Sequence, residues 1–196
     1  MKLLKRIIFT LQMMHRYRLL LAKIVRTSSP NHQLSHISPS RLKLKGITVL
    51  VLDFDGVLAA HGERHPVPEL QSWLHEAVKT FGSNHLFILS NKPLPERISY
   101  FNQHYAGVQC IADVKKKPYP DGLQKIINLT GQSPEAVMLV DDRLLTGCLA
   151  ASIAGISVTY ITRPYIRLSK RPLQELFFMT LRFLERYMIL GYARLF

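Results

Sequence analysis

Two cysteines and one tryptophan in 196 residues are the first scarcities of this chain. Cys110 and Cys148 form no metal or redox motif and stand in apolar surroundings. That excludes a disulfide-stapled scaffold and a cysteine-held zinc centre, and buried free thiols fit a reducing compartment. Asn128-Leu129-Thr130 matches a glycosylation sequon, but nothing else points to secretion, so it is read as chance. Long apolar runs are also missing. The longest uncharged run in the N-terminal arm is Ile7 to His15, far short of the roughly 20 residues a spanning helix needs. Leu144 to Thr162 is uncharged for 19 residues. It holds Gly147, Ser152, Gly155 and Ser157 and then turns β-rich, so a buried helix, a glycine turn and a buried strand explain it better than a span. No clear cleavage site follows the first apolar segment, which argues against a signal peptide. There is no internal repeat and no recognisable nucleic-acid module.

Acid is absent from residues 1–45, which carry ten Lys/Arg. Residues 163–196 carry seven Lys/Arg against Glu175 and Glu185, while 46–162 carry nine basic and eleven acidic residues. The overall charge of +13 therefore sits in two basic arms around a mildly acidic centre, and a polyanionic surface is the expected partner. In residues 1–26, Leu3, Leu4, Ile7, Ile8, Leu11 and Met14 share one helical face, with Lys2, Lys5 and Arg6 opposite. This reads as an interfacial amphipathic helix, each cation contributing on the order of 1 kcal/mol near an anionic bilayer. At the other end, in 164–196, Leu173, Leu176, Phe177, Leu184, Tyr187 and Met188 recur at helical spacing. Packing on the core and joining the first arm at a bilayer are both open to that segment. Residues 27–43, rich in Ser and Pro, read as a linker.

Between the arms, strand-like and helix-like segments alternate. Strands are predicted at 47–53, 85–90, 108–112, 137–141 and 157–161, and helices near 67–80, 94–104, 119–130 and 143–153. This alternation predicts an α/β fold, a three-layer Rossmann-like core over 44–163 with a mostly parallel five-stranded sheet. In such sheets the strand carboxyl ends converge on one rim, where ligands bind. The first strand runs into Asp53-Phe54-Asp55-Gly56, two carboxylates on one side of the chain that need a cation or phosphoryl group between them. The second ends in Ser90-Asn91, the third is followed by Lys115-Lys116-Lys117-Pro118, and the fourth ends in Asp141-Asp142. Carboxylates, a hydroxyl and a lysine in one pocket suit divalent-metal phosphoryl transfer. His61 and His65 lie just beyond the first motif and read as a polar flap.

These four motifs, in this order, resemble the haloacid dehalogenase superfamily of phosphatases over roughly 44–163. The resemblance implies Asp53 as the nucleophile that becomes an aspartyl-phosphate, and Asp55 as acid and then base. It implies Ser90, with Asn91 beside it, as the substrate-binding group and Lys117 as the charge-neutralising one. Mg2+ would be held by the Asp53 carboxylate, the Asp55 main-chain carbonyl and Asp142, with Asp141 as ligand or support. Near relatives often carry a second acid five residues after the Asp142 position. Gly147 stands there in this chain, so a carboxylate is missing unless Asp141 compensates, and a non-catalytic descendant is an alternative.

Only 34 residues separate Asp55 from Ser90 and 25 separate Asn91 from Lys117, room for core elements but not for a cap domain. An open site suits a large or surface-bound substrate. Residues 117–122, 142–146 and 151–156 are similar to the capless phosphatidylglycerophosphate phosphatases of bacteria and mitochondria. The expected partner is therefore an anionic membrane carrying a phosphorylated lipid. Nucleic-acid ends and phosphoproteins are alternative substrates, and an inactive membrane-bound adaptor is another reading. A cytoplasmic position at the periphery of a bacterial inner membrane fits. The mitochondrial matrix, after removal of a basic transit peptide, is the alternative.

Overall fold

The computed structural model describes residues 2–195. Its centre is a five-stranded sheet, parallel throughout, built from β1 (Val49–Leu52), β2 (Leu86–Ile88), β3 (Gln109–Cys110), β4 (Val137–Asp141) and β5 (Ser157–Tyr160). The strand order is β3-β2-β1-β4-β5. The chain builds outward from β1 to β3 and then returns to the other side of β1, so the order reverses between β1 and β4. That reversal opens a crevice above the strand ends, where α/β sheets bind ligands.

β1 is buried on both faces because all four of its residues are apolar, and its alternation divides the core in two. Leu50 and Leu52 pack with Trp73, Leu74 and Phe81 of α3 (Gln71–Phe81) and with Phe101 of α4 (Pro95–His104). Val49 and Val51 pack on the opposite face with Leu123 and Ile126 of α5 (Asp121–Thr130) and with Ala150 and Ala151 of α6 (Leu149–Ala154). Burying each of these larger aliphatic side chains contributes roughly 1.5–3 kcal/mol. The predicted three layers are present. β4 matches its predicted span, β5 is one residue shorter, and β1, β2 and β3 are each three residues shorter than predicted.

Residues 27–43, read from composition as a linker, are packed. They include most of α2 (Pro39–Leu44), which Ser38 caps with Pro39 in the first turn. Leu34 and Ile37 are buried in the larger core cluster, and the Ile37 carbonyl accepts the Trp73 indole N–H at 2.6 Å. The few apolar residues of the segment are enough to seat it under α3.

The two basic arms are long helices, α1 (Lys2–Thr27) and α7 (Pro172–Leu195). Met14, Leu21, Ala22 and Val25 of α1 form a third cluster with Leu149, Tyr160 and Ile189. Arg6 shares a cleft with Leu181, and His15 meets the Tyr192 hydroxyl at 2.8 Å, so the two helices run side by side in the same direction. No helix among the described residues is long and apolar enough to cross a membrane.

Candidate active site

Lys117 joins three strand ends. Its ammonium lies 2.9 Å from the Asp53 carboxylate beyond β1 and 2.6 Å from Asp141 at the end of β4. It also donates to the Leu89 carbonyl beyond β2 at 3.1 Å. Asp53, Lys117, Asp141 and Asp142 are all buried. Burial, reinforced by Asp141, Asp142 and Asp55, pushes Asp53 up to about 8 against the pull of Lys117. For Lys117, burial opposes the charge, but the two carboxylates outweigh it and hold the ammonium above its usual range. Asn91 sets the height of this lysine. Its side-chain oxygen accepts the Lys117 main-chain N–H at 2.7 Å, and its amide donates back to the Lys117 carbonyl.

Asp53, Asp141 and Asp142 each offer an oxygen within 4.8 Å of the others. One oxygen of Asp142 has no hydrogen-bond partner in its buried position. Hard oxygen donors in excess over the local cations, one of them orphaned, fit a small divalent cation. The other Asp142 oxygen is taken by Arg182 of α7, at 2.6 Å from Nε and 2.5 Å from a terminal nitrogen. Burial raises Asp142 to about 6, with Arg182 opposing and Asp141 adding to the rise.

Asp55 faces the same cleft under different control. Arg97 of α4 grips it with two nitrogens, at 2.7 and 3.0 Å, and the Gly62 amide donates a third bond at 3.0 Å. Burial pushes Asp55 up, but the Arg97 hydrogen bonds and charge and the Gly62 amide outweigh it, so Asp55 stays below the usual carboxylate value. The same guanidinium lies 3.8 Å above the Phe54 ring and reaches the Ser90 hydroxyl at 3.3 Å. Ser90, Arg97 and Asp55 thus form one string, whereas Asp53, Asp141 and Asp142 gather around Lys117.

Two glycines make this packing possible. Gly56 has φ +87°, and a Cβ there would come within 2.3 Å of the Asp142 carboxylate and 2.9 Å of Arg182. Gly147 is needed for space alone, since a Cβ would lie 1.9 Å from the Asp141 carboxylate. The volume that a side chain at 147 would occupy is filled by Asp141.

α7 supplies more than Arg182. Glu175 accepts the His61 main-chain N–H at 3.0 Å, and the His61 ring stacks on Phe178 with centroids 3.8 Å apart. Burial, with Arg182 adding to it, lowers His61 to about 4, so the ring is neutral. Glu185 pairs with Arg143 and accepts the Leu144 amide at 3.0 Å. The resulting cleft is about 430 Å3 and is lined by Asp53, Asp55, Asn91, Lys117 and Asp142, with Phe177 and Leu181 of α7 and Arg6 of α1 on its outer wall. Ser90 lies to one side, behind Asn91 and Lys92, in a neighbouring hollow with Lys117. His61 also lines the cleft, whereas His65 stands outside it beside Tyr100.

The motif residues were legible in the sequence, whereas Arg97, Arg182, Glu175 and Glu185 were not. A signal existed for α7: Glu175, Arg182, Glu185 and Ile189 follow one another at 7, 3 and 4 residues and mark one buried stripe opposite the apolar one. Nothing local singles out Arg97.

The model of the haloacid dehalogenase-like hydrolases matches residues 10–155, most of the chain and all four strand-end motifs. No curated protein and no solved structure matches it.

Proposed function

We propose a function from one premise: this chain belongs to the haloacid dehalogenase-like hydrolases. The proposed activity is Mg2+-dependent hydrolysis of a phosphomonoester on a lipid at an anionic membrane surface, with phosphatidylglycerophosphate as the candidate substrate. The carrying observation is that the carboxylate–lysine cluster opens between two helices whose outward faces are apolar. Leu3, Leu4, Ile7, Ile8 and Leu11 of α1 and Leu173, Leu176, Phe177, Leu184 and Tyr187 of α7 are exposed. Exposed apolar area of this extent beside a cleft marks an interaction surface, and its basic surroundings fit anionic headgroups.

In the proposed reaction the Asp53 carboxylate attacks phosphorus, an acyl-phosphate O–P bond forms on Asp53, and the bond to the lipid oxygen breaks. Lys117 beside Asp53 offsets charge on the transferring group. Asp55, in the protonated form that the Arg97 grip keeps scarce, delivers a proton to the departing oxygen. It then takes one from the water that attacks phosphorus, freeing phosphate and the Asp53 carboxylate. The Arg97 grip keeps Asp55 ionised, the form suited to the second step, so leaving groups that need little protonation would react fastest. Asp53, Asp142 and the Asp55 main-chain carbonyl would hold the magnesium ion, with Asp141 adjoining, and the ion would supply further positive charge to the phosphoryl oxygens.

Arg182 on Asp142 is the observation that favours the other reading, an inactive membrane-bound adaptor. Phosphate release from phosphatidylglycerophosphate in anionic vesicles, with Mg2+, separates the two. The wild-type chain should release phosphate, and Asp53→Asn should reduce release by at least a thousandfold. Equal release by both proteins would remove Asp53 as nucleophile, and none from either would favour the adaptor.

A further inference from the structure

We propose that Arg6, Lys92 and Lys116 form a second anion subsite at the mouth of the cleft, taking a phosphodiester that sits beside the phosphomonoester to be cleaved. This deepens the lipid phosphatase reading and rests on it.

Deep in the site the carboxylates have cationic partners: Asp53 and Asp141 have Lys117, Asp55 has Arg97, Asp142 has Arg182 and Glu185 has Arg143. Three further cations line the same cleft, from three separate parts of the chain: Arg6 on α1, Lys92 after β2 and Lys116 after β3. None of their side chains has a hydrogen-bond or ion-pair partner among the described residues. Surface cations nearby do find acids, Lys115 at 3.0 Å from Asp121 and Arg64 at 3.4 Å from Glu96. The lysine run thus divides by position: Lys115 turns out to Asp121, Lys117 turns in to the carboxylates, and Lys116 is left facing the cleft without a partner. Holding unpaired cations near one another costs energy that a bound anion recovers.

The position of Arg6 is set by packing. Phe9 stacks on Tyr119 with centroids 4.4 Å apart, which ties α1 to the loop bearing Lys116 and Lys117. Arg6 is one turn before Phe9, so it shares that face of the helix. The cleft, about 430 Å3, is within the range of small-molecule sites and exceeds what one phosphoryl group needs. A phosphoryl group on Asp53 is served by Lys117, which leaves the outer three cations for a second anionic group of the same substrate. Phosphodiesters adjoin monoesters in two kinds of molecule, glycerophospholipid headgroups and nucleic-acid ends. The wall beside the cations favours the lipid, because Phe177 and Leu181 continue into exposed Leu173, Leu176 and Leu184, an apolar surface suited to acyl chains.

The test uses soluble probes, so that membrane attraction plays no part. Glycerophosphoryl-glycerol phosphate carries a diester beside the monoester, glycerol 3-phosphate carries the monoester alone, and a 5′-phosphorylated dinucleotide carries the diester on a nucleoside. Wild type should prefer the first probe over the second by at least tenfold in kcat/KM, mainly through KM. The Arg6→Gln/Lys92→Gln/Lys116→Gln variant should lose that preference. Calorimetric binding of the same probes to Asp53→Asn reads the subsite without turnover, so an inactive enzyme and an absent subsite give different results. An unchanged preference in the triple variant, or equal binding of the first two probes by Asp53→Asn, would overturn the subsite. A dinucleotide bound more tightly than either glycerol probe would overturn its assignment to lipid.

Discussion

At the scale of single residues, the site is a set of buried carboxylates whose charge depends on a few cations. Asp53 and Asp142 are pushed up from 3.8, to about 8 and about 6, chiefly by burial. In the metal-free chain the folded state therefore keeps protons that the unfolded state releases. That contribution to stability is complete below about pH 4 and is lost as pH rises through 6 and then 8. A divalent cation replaces those protons, so the rise in Tm produced by Mg2+ should be small at pH 5 and grow toward pH 8. An increment that does not change with pH would mean that the carboxylates are ionised throughout. Arg182 bears on the same balance. Replacing it by Met strands Asp142 in the interior and should lower metal-free stability by roughly 3–5 kcal/mol, as removal of one partner of a buried pair does. Because the freed carboxylate then faces less positive charge, Mg2+ should bind Arg182→Met more tightly than wild type. Unfolding with and without Mg2+ checks both effects. Gly147 acquires its meaning at this scale too: the missing acid noted in the sequence corresponds to space that Asp141 fills.

At the scale of elements, α7 reverses the ordinary arrangement of a surface helix. Its buried stripe holds Glu175, Arg182 and Glu185, and its exposed stripe holds Leu173, Leu176, Leu184 and Tyr187. The charged stripe is stable inside because each member meets an opposite charge or a main-chain amide from the sheet rim. The apolar stripe has no counterpart in the described chain. Leu176→Glu with Leu184→Glu should therefore leave thermal stability in solution within about 0.5 kcal/mol, as exposed substitutions do. The same change should cut sedimentation with anionic vesicles severalfold, and undiminished co-sedimentation would separate this face from the membrane. α1 is divided along its length instead. Leu21, Ala22 and Val25 pack on the core, while Leu3, Leu4 and Ile7 remain exposed near the cleft.

At the scale of the whole molecule, the described chain is a parallel α/β core whose strand ends are walled by α1 and α7. The alternation of apolar runs and helical segments determined the core by itself. A run such as Val49–Leu52 is stable buried on both faces, as in the middle of a parallel sheet, and the motif residues follow the strands directly. The four strand-end motifs were legible for that reason: their positions depend on local pattern and on one topological rule. Residues 27–43 were less legible, since composition does not show that Leu34 and Ile37 find a core to enter. Which charges meet is set by the packing of distant segments. Arg97 is 42 residues from Asp55 in sequence, and Arg182 is 40 from Asp142. An ion pair has no periodicity, so a lone arginine reads the same whether it faces water or a carboxylate. Folding alone brings α4 and α7 over the rim, and with them the cations that set the charge of both aspartates.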